Sequence, residues 1–412
     1  NHKASMKRFF KRVAVAAVGA GAVSIAALVW MLQQNPSLVP YAALGWNSGA
    51  TPFAKTPTTP LRVSFLGVAA LLLDDGETAI LTDGFFSRPD RMQTFLGKVE
   101  PDLGNITRGL ARAGIRLKEQ PPGPGLSGEV AAVIPLHSHY DHAMDAPEVA
   151  RRTGAELVGS ESTANVGRGW GLPEKHIRVA LLGQPLQYGR FTITLFPAVH
   201  APTGFTGGEI TQPLTPPVRA SAYKEGQSYA MLVQHSGRAL LITGSAGFVP
   251  GALQGVKADV VLLGIGTMGQ RSDAHRQDYW REVVQASGAR RVIPIHWDDF
   301  WLPADQTMQP LPPPLDKFDV SMQFLMAQGA AQRVEIRMPW MYSAAYDSAA
   351  TLAKNSAGMG VTLRLARLMK TIPILPSATS RALSLSLMRY GRSKPYLLNA
   401  VGTIWTTMVS PW

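Results

Sequence analysis

A histidine cluster that directly follows an apolar run constrains this chain more than any other feature. Residues 130–136 are apolar, and the next six residues read HSHYDH. His137 and His139 are two positions apart, so both can project to one side at the end of a strand, while Asp141 and His142 can turn across the gap. Three of the nine histidines in 412 residues fall within six positions. The cluster therefore predicts a metal site rather than an incidentally polar loop.

The absence of cysteine limits which side chains can bind a metal ion. Because the chain has none, a site must be built from His, Asp and Glu, and no disulfide indicates a redox compartment. Imidazole suits zinc, and a carboxylate ligand also admits manganese or iron.

The pattern of apolar runs predicts an α/β protein. Runs at 61–65, 69–73 and 78–82, separated by Gly67 and by an Asp-Asp-Gly turn, are typical of a β-meander. Downstream, further predicted strands at 156–159, 191–196, 228–234, 239–243, 260–265 and 291–295 alternate with predicted helices at 147–153 and 278–286. This order favours two sheets with helices packed outside them.

The HSHYDH run resembles the His-x-His-x-Asp-His signature of the metallo-β-lactamase superfamily, over about residues 61–339. Asp83, His200 and His296 each follow an apolar run, in the order of that family's acidic residue and its two later histidines. The resemblance implies a four-layer αββα sandwich. The early strands are most similar to the branch with ascorbate-phosphate lactonase and N-acyl-phosphatidylethanolamine phospholipase D.

The resemblance also implies the composition of the site. Two zinc ions, with manganese or iron as alternatives, are expected on six ligands: His137, His139 and His200 for one ion, and Asp141, His142 and His296 for the other. Asp141 is the implied catalytic residue, which orients a metal-bound hydroxide. Asp83 is expected to orient a ligand histidine through a hydrogen bond.

The chain departs from the family pattern at Ser245, in Gly244-Ser245-Ala246-Gly247. The family usually has an aspartate here that bridges both ions, and a neutral hydroxyl is a much poorer ligand. One interpretation keeps two ions without this bridge, and the other has a single ion or a weakly loaded second site. We favour two ions, because the other three ligands of the second site are present.

Aromatic residues near the expected ligands predict an apolar substrate wall. Phe86, Trp297 and Phe300 are the expected substrate contacts, and Phe85, Phe205 and Trp301 lie in the same stretches. Arg88 and Arg219 are candidates to receive a phosphate or carboxylate. We expect hydrolysis of an ester-type bond, in a phosphodiester or a lactone, of a small-molecule or lipid substrate. The alternatives are β-lactamase-like amide hydrolysis and a catalytically silent metal-binding protein.

The net charge of +12 is carried by the two ends of the chain. Residues 1–12 hold five Lys and Arg without an acid, and the stretch after Asp347 holds eight, so the remainder is nearly neutral. No nucleic-acid partner is therefore expected. The oligomeric state stays open.

The apolar stretch 13–32 follows a basic segment and is long enough to cross a bilayer. Residues 6–35 are thus predicted as a membrane anchor or signal peptide, which implies a membrane partner and a bacterial-type cell envelope or periplasmic location. The alternative is a buried core helix. Residues 1–5 have the character of a cloning scar. Residues 36–60 are predicted as a linker, 61–340 as the hydrolase domain, and 341–412 as a basic extension without an assigned role.

Overall fold

The computed structural model describes Met6 and residues 18–21, 23–24, 26–45, 61–202 and 207–347. They belong to one compact unit, Asn1–Leu352. The second unit, Ala353–Trp412, lies outside the described residues, and with it most of the predicted basic extension.

From Val39 onward the described residues form fourteen strands and seven α-helices, which are numbered in chain order, and described residues within 18–31 are also helical. The strands are β1 Arg62–Gly67, β2 Ala70–Asp74, β3 Thr78–Thr82, β4 Glu129–Ile134, β5 Glu156–Gly159, β6 Ile177–Val179, β7 Leu186–Tyr188, β8 Phe191–Ala198, β9 Ser228–His235, β10 Arg238–Thr243, β11 Val260–Gly264, β12 Arg291–Ile295, β13 Glu335–Ile336 and β14 Ser343–Asp347. The helices are α1 Arg91–Leu96, α2 Leu103–Arg112, α3 Tyr140–Ala143, α4 Ala146–Thr153, α5 Glu161–Trp170, α6 Asp273–Tyr279 and α7 Phe318–Gln332. Short 3-10 turns lie at Val39–Leu44, Glu174–His176, Ala220–Ala222 and Met268–Gln270, and a π-helical turn, Trp280–Gln285, continues α6.

The strands make two seven-stranded sheets. The first has the order β14-β1-β2-β3-β4-β5-β6 and the second the order β13-β12-β11-β10-β9-β8-β7. The predicted meander is present, since β1, β2 and β3 pair antiparallel. From β3 to β6 the first sheet is parallel, as is the second from β10 to β13.

Burial on both faces explains why the inner strands are almost purely apolar. All residues of β2 and β11 are buried, because one sheet face meets the other sheet and the opposite face meets helices. Helices α4 and α5 pack on β4 and β5, and α7 packs against β13. The predicted α/β fold of two sheets with outer helices is confirmed.

The domain extends beyond the predicted limits at both ends. Strand β14 pairs antiparallel with β1, with Arg62 opposite Asp347, so the first sheet continues past residue 340. In the predicted linker, Leu38 and Tyr41 are buried. The Tyr41 hydroxyl donates to Asp319 Oδ1 at 2.6 Å. The beginning of the expected tether therefore packs on the domain.

The predicted cell-envelope location, with a membrane-anchored chain, is wrong. Within the described residues, no helix combines the length and the apolar character needed to cross a bilayer. Part of the apolar stretch 13–32 lies outside those residues.

Candidate metal centre

Strand ends bring the predicted ligands to one edge of the two sheets. In the first sheet, β3 ends just before Asp83, and the parallel strand β4 ends three residues before His137. In the second sheet, β8 leads to His200 and β12 to His296. β3 and β4 are parallel, so their carboxyl ends meet at one edge of the first sheet. β8 is antiparallel to β9, which is antiparallel to β10, so β8 runs in the same direction as β10 and the parallel strands β11 and β12, and its carboxyl end lies at the same edge of the second sheet.

His137, His139 and His200 form one potential ligand group, called here the first triad. One nitrogen from each lies within 4.8 Å of the others, and His137 Nε2 is 3.0 Å from His139 Nδ1. Two nitrogens on a tetrahedral zinc ion are about 3.3 Å apart, given bonds of about 2.0–2.1 Å. The donor set and its spacing therefore fit one ion.

Asp141, His142 and His296 form the second triad, again with ligand atoms within 4.8 Å of one another. Asp141 Oδ2 lies 3.6 Å from His142 Nε2 and 3.4 Å from His296 Nε2. The two Nε2 atoms are 3.1 Å apart. This mixed oxygen and nitrogen set suits zinc, manganese or iron.

Asp83 lies behind the second triad, as the resemblance implies. Its Oδ2 is 2.7 Å from His142 Nδ1, and its Oδ1 accepts from the backbone N–H of Leu136 at 2.8 Å. The first contact leaves His142 Nε2 facing Asp141 and His296, and the second ties Asp83 to the segment that carries the cluster.

Burial and neighbouring charges set the protonation of the centre. Burial, reinforced by the adjacent histidines, holds the pKa of His137 well below its usual value. Burial and His139 lower the pKa of His200 to about 3. Burial opposes ionisation of Asp141, but His142 and His296 outweigh it and hold the pKa of that carboxyl below its usual range. Burial opposes protonation of His142, but the carboxylates of Asp83 and Asp141 outweigh it and raise the pKa of that ring. Neutral imidazoles and ionised carboxylates are the forms that bind metal ions, so an ion in the second triad would displace the proton from His142.

Ser245 is not part of either triad. Its Oγ accepts a hydrogen bond from the backbone N–H of Ala201 at 3.0 Å, next to His200. The His200 ring in turn places Nδ1 2.8 Å from the Ala201 carbonyl oxygen. Where the family pattern has an aspartate, this serine holds the backbone next to His200 of the first triad.

A cavity of about 490 Å³ opens over both triads. Its walls are mainly apolar and include Phe95, Tyr140, Ala220, Tyr223, Phe300, Trp301, Leu311 and Leu315. Arg219 is the only Lys or Arg among its lining residues, all of which the structure describes.

Only some of the predicted substrate contacts line the cavity. Phe300 and Trp301 line the cavity. Phe86 and Trp297 do not line it, so their interpretation as substrate contacts is wrong. Phe86 is buried and so close to Gly109 of α2 that a Cβ there would lie 2.3 Å from its ring. Trp297 is buried, with its ring centroid 6.4 Å from that of Phe65.

Of the other aromatic and arginine candidates, only Arg219 is a described residue of the cavity wall besides Trp301. Phe85 is buried and meets Tyr140 edge to face, and Phe205 lies outside the described residues. Arg88 is buried and paired with Asp298 at 2.5 Å, so it does not receive a substrate anion. Arg219 is exposed in the cavity wall.

Sequence reasoning missed Tyr140 and Tyr223 as wall residues and missed Glu225 altogether. Glu225 Oε1 accepts from the backbone N–H of His200 at 2.8 Å. No motif distinguishes this glutamate from other loop acids, because its role depends on a contact between distant segments.

Comparison with known proteins agrees with this arrangement. The family model of the β-lactamase superfamily domain matches residues 79–297, just over half of the chain. The protein therefore belongs to the metallo-β-lactamase superfamily. At the level that its relatives define, it is a metal-dependent hydrolase.

Two relatives and one solved structure illustrate the similarity. A UPF0173 metal-dependent hydrolase of Methanopyrus kandleri is 26% identical over 243 residues, which cover 58% of this chain and 85% of that protein. Another, of Pyrobaculum calidifontis, is 31% identical over 195 residues, covering 44% and 73%. The metallo hydrolase Igni18 of Ignicoccus hospitalis has 17% sequence identity and a TM-score of 0.41, covering 68% of this chain and 94% of that one.

Proposed function

We propose that this hydrolase cleaves a carboxylic ester, such as a lactone, with two zinc ions held by the first and second triads. The observation that carries the proposal is the convergence of both triads beneath one apolar cavity. Such a cavity accommodates an apolar substrate body next to a polar reacting centre.

The cavity wall favours a carboxylic ester over a phosphodiester. A phosphodiester carries a negative charge on its non-bridging oxygens, which proteins commonly bind with cationic or N–H donors in addition to any metal ion. Arg219 is the one such cation in the described wall, and it is exposed. It suits an anionic group at the outer end of the substrate.

The residues divide the chemical work. Metal ions, when bound, polarise the substrate carbonyl and make water a stronger acid. The ionised Asp141 accepts a hydrogen bond from the attacking water and orients it toward the substrate. Phe300, Trp301 and Leu311 enclose the substrate's apolar part and limit access of bulk water.

A substrate panel tests the proposal. Zinc- and manganese-loaded protein is assayed with acyl homoserine lactones, a p-nitrophenyl ester, a phospholipid, bis-p-nitrophenyl phosphate and nitrocefin. We expect the highest kcat/KM on a lactone or ester. His139→Ala should lower it at least about 10³-fold by removing a ligand, and His176→Ala, outside both triads, should not change it.

Two results would contradict the proposal. The first is ester hydrolysis that survives His139→Ala, which would place the chemistry elsewhere. The second is activity confined to the phosphodiesters or to nitrocefin, which would identify a different substrate class.

A further inference from the structure

Glu225 contacts both chain segments that carry the first triad. Its Oε1 accepts from the backbone N–H of His200 at 2.8 Å. Its backbone carbonyl accepts from the N–H of Ser138 at 2.9 Å, and Ser138 lies between His137 and His139. One residue thus links the histidine cluster of the first sheet to the histidine of the second.

The carboxylate of Glu225 is used for anchoring. The same Oε1 also accepts from Ser228 Oγ at 2.9 Å, at the start of β9. Within the described part of the chain, no Lys or Arg forms an ion pair with it. Its two acceptor contacts are therefore with neutral donors that fix the ends of β8 and β9.

Close packing fixes the backbone at Glu225. The next residue, Gly226, has φ +63°, and a Cβ there would lie 2.6 Å from Ser162 Cβ and 3.0 Å from Ser138 Oγ. Only glycine adopts this conformation in so little space without strain. The N–H of Gly226 donates to the Gly208 carbonyl at 2.9 Å.

His200 depends most on such an anchor. His137 and His139 are only 1% and 7% exposed, so the core holds them, whereas His200 is half-buried. Its backbone is held by Glu225 and its ring by the Ala201 carbonyl. Loss of the Glu225 contact would free the least enclosed ligand of the first triad.

We propose that Glu225 is a positioning residue that sets the metal affinity of the first triad selectively. The proposal rests on the metal dependence of the proposed function. Groups that orient a ligand typically change metal affinity by about 10–100-fold when removed. Glu225 acts on the first triad, and Asp83 has the corresponding position at the second.

The test measures zinc binding to the full chain by competition with a chelator, without any substrate. Glu225→Ala should raise one of the two zinc dissociation constants by about 10–100-fold and leave the other within about twofold of its original value. Both zinc dissociation constants of Glu225→Gln should stay within about threefold of those of the unchanged protein, because the amide oxygen still accepts from the His200 N–H. Glu209→Ala, an exposed acid of the same β8–β9 connection, should have no effect.

Two additions show which ion responds. Asp83→Asn should raise the zinc dissociation constant that Glu225→Ala leaves unchanged. With Co²⁺ as the probe, the visible absorption bands of only one of the two ions should change in Glu225→Ala. If that variant does not fold, Glu225→Asp, which withdraws the carboxylate by one methylene, is held to the same criteria.

The outcomes separate this proposal from the function. Equal weakening of both ions, unchanged constants in Glu225→Ala, or Glu225→Gln as weak as the alanine variant would overturn the positioning role. Selective weakening in a protein that hydrolyses no ester supports the positioning role and refutes the substrate. A chain that binds no zinc refutes both.

Discussion

Single hydrogen bonds decide which nitrogen of a histidine faces the metal centre. Nδ1 of His142 is hydrogen-bonded to the Asp83 carboxylate, and Nδ1 of His200 is hydrogen-bonded to the Ala201 carbonyl. In both rings Nε2 remains for an ion. Ala201 is also the residue whose backbone N–H donates to Ser245 Oγ, so changes at Ser245 should affect metal binding.

Ser245→Asp should tighten binding of the second zinc ion at least tenfold, because a carboxylate binds zinc better than a hydroxyl. The new carboxylate also keeps an acceptor for the Ala201 N–H. Metal content after dialysis, measured by plasma mass spectrometry, checks this. Ser245→Ala, which removes the hydroxyl and adds no carboxylate, should not tighten binding of the second ion. One ion per chain in both the unchanged protein and Ser245→Asp would refute the two-ion interpretation.

Arg219→Met should raise KM for an ester with a terminal carboxylate about fivefold more than for a neutral ester of equal length. The effect is modest because Arg219 is exposed, and exposed ion pairs contribute about 1 kcal/mol or less. Steady-state kinetics on the matched esters measures it. Arg238→Met, on β10 and outside the cavity, should change neither KM, and an equal rise for both esters would exclude a charge-specific role.

At the scale of elements, the β2–β3 turn connects the two sheets through Asp75. Its Oδ1 accepts from the backbone N–H groups of Glu77 and Thr78. Its Oδ2 contacts Arg190 Nε at 2.9 Å and His235 Nε2 at 3.0 Å, both in the second sheet region. Burial opposes ionisation, but the Arg190 bond and the turn N–H groups outweigh it and lower the pKa of Asp75 to about 2.

Asp75→Asn should lower the free energy of unfolding at pH 7 by about 2 kcal/mol, as for loss of a hydrogen-bonded buried charge. Because the pKa of Asp75 is lower in the folded protein, this stabilisation is present at pH values above the pKa of an unfolded aspartate, about 4, and disappears as the pH falls toward 2. Urea unfolding of chelator-treated protein at pH 7 and pH 3 checks the prediction. Asp305→Asn, at an exposed position, is the control. A difference that does not shrink at pH 3 would rule out the ionised carboxylate as its source.

For the whole molecule, each triad joins the two sheets. His137, His139, Asp141 and His142 follow β4 of the first sheet, whereas His200 and His296 follow β8 and β12 of the second. An ion in either triad therefore cross-links the two halves of the sandwich. Metal binding and folding stability should be coupled.

Removal of the metal ions should lower Tm by about 10 °C. An ion at 1,000 times its Kd stabilises the folded state by about 4 kcal/mol, and 1 kcal/mol corresponds to about 2–4 °C in a domain of 150–250 residues. Calorimetry with and without chelator measures the shift, and added zinc should restore Tm. His139→Ala should show a smaller shift. An unchanged Tm would mean that the triads do not hold ions in the folded protein.

Much of the centre was predictable because its signals are local. The spacing of His137, His139, Asp141 and His142 follows from the geometry of a strand end, and the apolar run before each later histidine indicates a strand that delivers it. Aromatic neighbours gave a mixed result. Phe300 faces the cavity and Trp297 faces the core, because proximity in sequence does not define side-chain direction in an irregular loop.

The sequence by itself determined the kind of centre and the class of fold, since both depend on residue types and on short-range periodicity. Only the tertiary structure decided how the ligands are held. Ser245 meets Ala201 across 44 positions, and Glu225 meets His200 across 25. Such contacts form when two sheets pack and bring strand ends together. A local sequence pattern does not predict which loop residue then accepts a hydrogen bond from a distant backbone N–H.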